Sequence, residues 1–448
     1  MLPEIFRAQS GRDILLLCLV TLLVYGNALH GSFQFDDYNV IVNNPRVHAW
    51  PGWWQDISTS GIRPLLKLSY LLDWSSGLGV AGFHMTNLLI HCLNVILAYR
   101  LTCAFLAVDG GGQAQRGTAL FAALLFALHP ALTEAVTYIS GRSSALMTLF
   151  YLAGVMAYAL GRESGKTWQL HGVVPLCMLL SLLTKETAIT FPAALWLWEG
   201  LKGGTLKQAM RRQWVVWILL AASLMFVLLH PGYAREMRDS FSFNTLTGKL
   251  ATQLLGFIYL MRQWCMPFWP NIDPELPVLG SFQGLLLHAF ILFGMLVLMV
   301  FSWRRRPWLA FSLAWTMLQL LPIYLVLPRL DVVNDRQLYL VAWPLAMAIA
   351  IPWGKLEMPH KQLLGVAILT LLAFVTVKRN QDYRNEIALW EATARLSPGK
   401  ARVQNNLGYA LMRAGRHEEA RQSFETALTL DPTYYRARYN LLLLGDGE

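Results

Sequence analysis

Two aspartates, Asp36 and Asp37, stand side by side in the stretch FQFDDYNVIVNNP, directly after the first apolar block of the chain. A carboxylate at the rim of a bilayer is costly to desolvate, so a pair there asks for a chemical reason. The first loop adds Asn43, Asn44, Arg46 and Arg63. Three later stretches carry charges between apolar blocks. HPALTEAVTYISGR holds His129, Glu134, Tyr138 and Arg142; TKET holds Lys185 and Glu186; PRLDVVNDRQLYL holds Arg329, Asp331, Asp335 and Arg336. Gathered on one face, these acids and bases would make a cleft that holds an anionic ligand head and offers it a proton acceptor. Each has a plainer reading. Asp36 and Asp37 could cap the short helix that follows. Glu134 could pair with Arg142, Lys185 and Glu186 could be a solvated hairpin tip, and Arg336 could be a snorkelling anchor.

The elements that would position these residues follow from composition. Of 448 residues, 55% are hydrophobic and 14% charged, against about 25% charged in a soluble domain. The apolar residues come in blocks of roughly 15–22, long enough to cross about 30 Å of hydrocarbon as helices. The chain therefore reads as an all-α polytopic membrane bundle, and the alternating ten-residue pattern of a membrane barrel is missing. The net charge of +10 sits mostly in short loops, where anionic head groups and positive-inside topology account for it without nucleic acid. The five cysteines have no motif spacing, so neither a disulfide framework nor a zinc site is implied.

Arg7 and Arg12 precede the block Ile14 to Leu29, which lacks a small-residue cleavage site and reads as a retained helix with a cytoplasmic N-terminus. Helices are expected near 84–106, 118–131, 143–160, 171–184, 188–201, 214–230, 284–302, 308–327, 338–353 and 362–377. The basic loop KGGTLKQAMRR and Arg304–Arg306 both belong inside, so 231–283 is expected to be a long outer loop with a re-entrant or interfacial helix at 247–266, marked weakly by Arg235, Arg238, Lys249 and Arg262. The sum is about eleven crossings, a membrane domain at 1–378 and an extracytoplasmic domain at 379–448. RPLLKLSYLLDWSSGLG reads as an amphipathic segment lying flat on the outer surface. His84, Asn87, His91 and Asn94 share one face of the second helix; interhelical hydrogen bonding is the expectation, a metal pair the alternative.

In the tail, Leu407, Gly408, Gly415, Ala420, Phe424, Ala427 and Pro432 fall at tetratricopeptide-repeat spacing. One full repeat is flanked by half repeats: Trp390 matches Phe424, and another copy starts near Leu441. So few repeats cannot stand as a solenoid, so the tail is expected to dock on the membrane domain or a partner.

These blocks, in this order and ending in the repeat, resemble the GT-C glycosyltransferases, nearest the transmembrane and tetratricopeptide-repeat O-mannosyltransferases and their bacterial relatives. FQFDDYNVIVNNP, RPLLKLSYLLDW, GFHMTNLLIHCLN, ALLFALHPALTEAVTYISGR, LLTKETAITFPAALWLWE and DRQLYL carry the likeness. It departs in its short repeat array and in Gln337, where a tyrosine often follows the arginine.

The resemblance implies an enzyme of the outer membrane face that moves a sugar from a polyprenyl-phosphate donor to an acceptor, often a protein Ser or Thr, a pilin-like protein being one candidate; one carboxylate on the face opposite the leaving phosphate suits inversion. It places the catalytic acids at Asp36, with Asp37 supporting, and at Glu134. Arg142, Lys185 and Arg336 are the expected phosphate ligands, and Arg63, His129 and Glu186 supporting residues. No cofactor is required, though Asp36 and Asp37 could hold a divalent metal. The expected setting is a bacterial inner membrane with the C-terminal domain in the periplasm. Alternatives are a lipid-linked sugar flippase, a transferase to a glycan or lipid, and a scaffold that recruits partners through the repeat.

Overall fold

The structure, a computed structural model, describes residues 10–59, 61–107, 113–231, 246–276, 282–326 and 333–445. It is all α, with no strand among the described residues. α1 (Ser10–Tyr25) ends in a tight turn over Gly26–His30. Two short helices follow, α2 (Trp50–Thr59) and α3 (Pro64–Ser75), and α3 buries Leu66, Tyr70, Leu71 and Asp73. The long α4 (Gly79–Leu106) then runs through the bundle.

α5 (Gln113–Leu128) and the segment Pro130–Val136 meet at a bend of 55°. Pro130 has no N–H to continue the ladder, so the chain breaks there and presents the one-turn α6 (Thr133–Val136) with Glu134. A Cβ on Gly141 would overlap the Glu134 carbonyl. Only glycine lets α7 (Arg142–Ser164) begin directly over α6. α8 (Val174–Thr184) and α9 (Phe191–Leu201) are joined by an extended Lys185 and a turn over Glu186–Thr190. α10 (Leu206–Leu229) opens with a capping box between Thr205 and Gln208. α11 (Leu246–Cys265), α12 (Phe282–Arg305), α13 (Pro307–Val326), α14 (Tyr339–Lys355) and α15 (Lys361–Asp382) complete the bundle.

Among the described residues, six helices are long and apolar enough to cross a membrane, or seven if the bent pair counts as one span. Helices occupy every block read from the sequence, but a total of about eleven crossings is not established. Burial sorts these spans. α7 is 72% buried across its apolar window and lies inside, whereas α10 and α15 are 11% buried and turn Phe226, Leu229, Leu363 and Phe374 outward. Their greasy outer faces suit lipid. α11 packs Phe257 and Leu260 into the main core; of the cations read near it, Arg235 and Arg238 lie outside the described residues, as do Arg329 and Asp331 later in the chain.

α4 carries the polar face read from its spacing. Asn87 Nδ2 donates to the Val136 carbonyl at 3.1 Å, and Asn94 Nδ2 to that of Ala145 at 2.9 Å. His91 Nδ1 and the Tyr339 hydroxyl share a hydrogen bond at 2.6 Å. These bonds tie α4 to α6, α7 and α14. Among the described residues no group of three or more His, Cys, Asp or Glu is placed to hold a metal.

The tail forms α16 (Glu386–Leu396), α17 (Ala401–Arg413), α18 (His417–Leu430) and α19 (Tyr435–Gly445). A Cβ on Gly408 would stand 2.7 Å from the Phe424 ring, which is why the repeat needs glycine where α17 crosses α18. Gly415, at φ +76°, makes the turn between them. The join to the bundle is not a linker. α15 runs unbroken through position 379, and Asn380 donates to the Val24 carbonyl at 3.0 Å while accepting from Thr137 Oγ1 at 2.7 Å.

Candidate active site

The first loop turns sharply at Phe35, whose φ of +45° is a left-handed conformation that costs a side-chain-bearing residue about 1–2 kcal/mol. The surroundings hold it there. Phe35 N donates to the Glu386 carboxylate at 3.2 Å, and Asp36 N donates to the Tyr138 hydroxyl at 3.0 Å. Burial raises the Glu386 carboxyl above its ordinary range, opposed by the Phe35 N–H and by Arg413.

The two aspartates then part company. Asp37 is buried, and its carboxylate accepts from Gln34 N at 3.0 Å, from Ser140 N at 2.8 Å and from the Ser140 hydroxyl. Burial pushes its pKa up to about 7; the Ser140 and Gln34 donors oppose this and the neighbouring Asp36 charge adds to it. Asp36 is half-buried and lines a narrow cleft with Phe35, Glu134, Tyr138, Ile272, Asp273, Asn334, Arg336, Trp390 and Arg402. Asp37 therefore fixes the corner and Asp36 faces the space.

Arg336 links this cleft to a second one. Its backbone N–H donates to Glu134 at 3.1 Å, and its guanidinium pairs with the same carboxylate at 3.4 Å. It also lines a second narrow cleft with Ser144, Met147, Thr148, Lys185, Thr187, Gln319, Gln337 and Leu340. Lys185 is buried there and donates to Ser144 Oγ at 2.8 Å. One arginine thus stands between an aspartate cleft and a lysine cleft.

The other sequence candidates lie elsewhere. Arg142 does not pair with Glu134. It is fully buried, pairs with Asp73 at 2.5 Å, and donates to Asn87 Oδ1 at 2.6 Å and the Phe83 carbonyl at 2.9 Å. It lines neither cleft. Arg63 and Glu186 hold each other through two bonds of 2.9 and 2.6 Å. His129 stacks on Trp264 at 4.0 Å and bonds its carbonyl at 3.0 Å. Asp335 accepts from Asn271 N at 3.0 Å, anchoring the segment after α11 whose Ile272 and Asp273 line the cleft.

Asp273, Trp390 and Arg402 were not among the candidates read from sequence. Trp390 matches Phe424 in the repeat register, which marks it as a packing residue, and no local pattern ties it to Asp36. A polar run, NIDPE, inside an otherwise apolar stretch is the one sign that Asp273 has a partner.

Fold and site together define a polytopic α-helical membrane protein with a tetratricopeptide unit seated over a charged cleft. The tetratricopeptide repeat family matches residues 401–434. Over 96% of its length the chain is 26% identical to the protein O-mannosyl-transferase F38B6.6 of Caenorhabditis elegans, covering 64% of that protein. It is 26% identical over 96% of its length to the protein O-mannosyl-transferase Tmtc3 of Drosophila melanogaster, covering 56% of it. A stretch of 39% of the chain is 36% identical to the protein O-mannosyl-transferase TMTC1 of Mus musculus, covering 20% of it. The chain thus spans between 56% and 64% of the length of the first two relatives. No solved structure matches it.

Proposed function

We propose that this chain is a membrane glycosyltransferase that moves a sugar, mannose by analogy with its relatives' names, from a polyprenyl-phosphate donor to a Ser or Thr hydroxyl of an exported protein. The likeness to protein O-mannosyl-transferases supports the transfer to protein. The observation that carries the donor class is the position of Arg336 between the Asp36 cleft and the Lys185 cleft.

In this reading the donor phosphate lies between Lys185 and Arg336, and the sugar reaches into the cleft of Asp36. Charge-assisted bonds to phosphate are roughly twice as strong as neutral ones, and they strengthen as the leaving phosphate gains charge. Asp36 takes the acceptor proton as the hydroxyl oxygen attacks the anomeric carbon. The bond from that carbon to phosphate oxygen breaks and the electron pair leaves with the lipid phosphate. Glu134 acts through Arg336, which it orients. The other two carboxylates of this cleft are engaged, Glu134 by Arg336 and Asp273 by Lys400 and Arg402, so Asp36 acts as base in a single displacement with inversion, since retention needs a second carboxylate placed to attack the sugar.

The test is transfer of radiolabelled mannose from polyprenyl-phosphate mannose to a Ser- and Thr-rich peptide by the purified full chain. Asp36→Asn is expected to lower the rate by about 10²–10⁴-fold without weakening donor binding; full activity in that variant overturns the assignment. Lys185 and Arg336 already offset a monophosphate leaving group, so transfer is expected to survive chelation with EDTA. Its loss, restored by a divalent ion, would give Asp36 and Asp37 a metal role instead.

A further inference from the structure

The cleft over Asp36 is not built by the membrane bundle alone. Its outer wall is Ile272 and Asp273 from the segment after α11, and Trp390 and Arg402 from the tail. Trp390 is buried edge-on against Phe35, with ring centroids 5.1 Å apart, beside the corner that presents Asp36. Leu389, Tyr138 and Tyr383 close the layer beneath.

What holds this wall is a dense polar contact between residues 271–275 and 397–402. Asp273, nearly buried, takes two bonds from the Arg402 guanidinium, one of them at 2.8 Å, and a third from the Lys400 ammonium. Ser397 Oγ accepts from Asn271 Nδ2 at 2.8 Å and from Glu275 N at 3.0 Å, and donates to the Asp273 carbonyl at 3.0 Å. Gly399 N donates to the Glu275 carboxylate at 3.0 Å. Every group here sits on one of two short segments, and no transmembrane helix takes part.

We propose that this contact is a latch that closes the cleft over Asp36, and that Asp273 and Arg402 are positioning residues that keep water from competing with the acceptor hydroxyl. The inference rests on the glycosyl-transfer reading and deepens it. A carboxylate that can deprotonate a serine hydroxyl can also deprotonate water. If water attacks the anomeric carbon, the carbon–phosphate-oxygen bond breaks as before, the lipid phosphate leaves with the electron pair, and free sugar is released. Only a closed, dry cleft separates transfer from this waste reaction. Arg402 suits the task because its planar fork grips the Asp273 carboxylate by two bonds while the residue also lines the cleft.

The full chain, reconstituted with labelled polyprenyl-phosphate mannose and a Ser- and Thr-rich peptide, tests this by the ratio of free mannose to glycosylated peptide. That ratio does not depend on how much of the protein is folded. Asp273→Asn and Arg402→Ala are expected to raise it by about tenfold or more, as a small misplacement at a reacting centre commonly does. Arg402→Lys, which keeps the charge but loses the fork, should fall between them and the wild type. Amide hydrogen exchange of residues 33–38 should rise in the same order. An active wild-type protein whose ratio is unchanged in Asp273→Asn and Arg402→Ala overturns the latch and leaves the transfer reading standing. A wild-type protein that neither transfers nor hydrolyses the donor removes that reading, and the latch with it.

Discussion

Asp36 and Asp37 are neighbours of the same type, yet burial and partners assign them different work. Asp37 is buried and accepts two bonds from Ser140 and one from Gln34. Asp36 is left to face the cleft. The raised pKa of Asp37 has a consequence for stability. Its folded value of about 7 lies above the ordinary 3.8, so the folded state binds more protons between those values. The favourable contribution is fully present below about pH 4 and is lost as pH rises through 7, by a total on the order of 4 kcal/mol. Asp37→Asn keeps the shape and removes the titration. Its melting temperature, relative to wild type, should therefore climb between pH 4 and pH 8; a difference that stays flat with pH would place the titration elsewhere. At Arg336 the geometry is the point. A lysine there keeps the charge but cannot span Glu134 and both clefts, so Arg336→Lys should cost about 10²-fold in transfer, seen chiefly as a lower kcat at saturating donor.

At the scale of elements, Arg142 is the instructive case. It begins α7, at the bundle end that the charge pattern assigns to the outer face, where a phosphate ligand is expected. Instead α7 uses it to close the polar face of α4, bonding Asn87 and the Phe83 carbonyl and neutralising Asp73. Gly141 makes this approach sterically feasible, since any side chain there would strike the Glu134 carbonyl. Removing one partner of a buried ion pair strands the other and typically costs about 3–5 kcal/mol, whereas replacing both with apolar groups is often close to neutral. Arg142→Met is accordingly expected to lower the melting temperature of the detergent-solubilised protein sharply, and Arg142→Met with Asp73→Leu to recover most of the loss. The donor KM of whatever Arg142→Met protein folds should match wild type. A raised KM at unchanged stability would return Arg142 to the phosphate site.

Across the whole molecule, what the sequence revealed is what repeats at short range. Apolar blocks give helices because the bilayer rewards length and hydropathy locally, and the repeat shows because Gly408, Ala420 and Phe424 fall at the spacing of a tetratricopeptide repeat. The partners inside the clefts are not local. Glu134 meets Arg336, 202 positions away, rather than the nearby Arg142, and Trp390 packs edge-on against Phe35 although its register marks it as repeat core. Residue type and membrane side could bring Asp36, Glu134, Lys185 and Arg336 onto one list; only tertiary contacts could divide that list into two clefts and add Asp273 and Arg402. The same contacts decide how the tail should behave when cut. Removing 397–448 takes away Arg402 and the polar contact with Asp273 but spares Trp390 and the Glu386 bond to Phe35. Removing 384–448 also strips the layer on which the Asp36 corner rests, since Glu386, Leu389 and Trp390 go with it. The shorter deletion is expected to keep donor hydrolysis and lose most transfer to peptide, while the longer one loses both. Equal loss of both activities in the shorter deletion would make the repeat a brace for the bundle rather than the lid of its cleft.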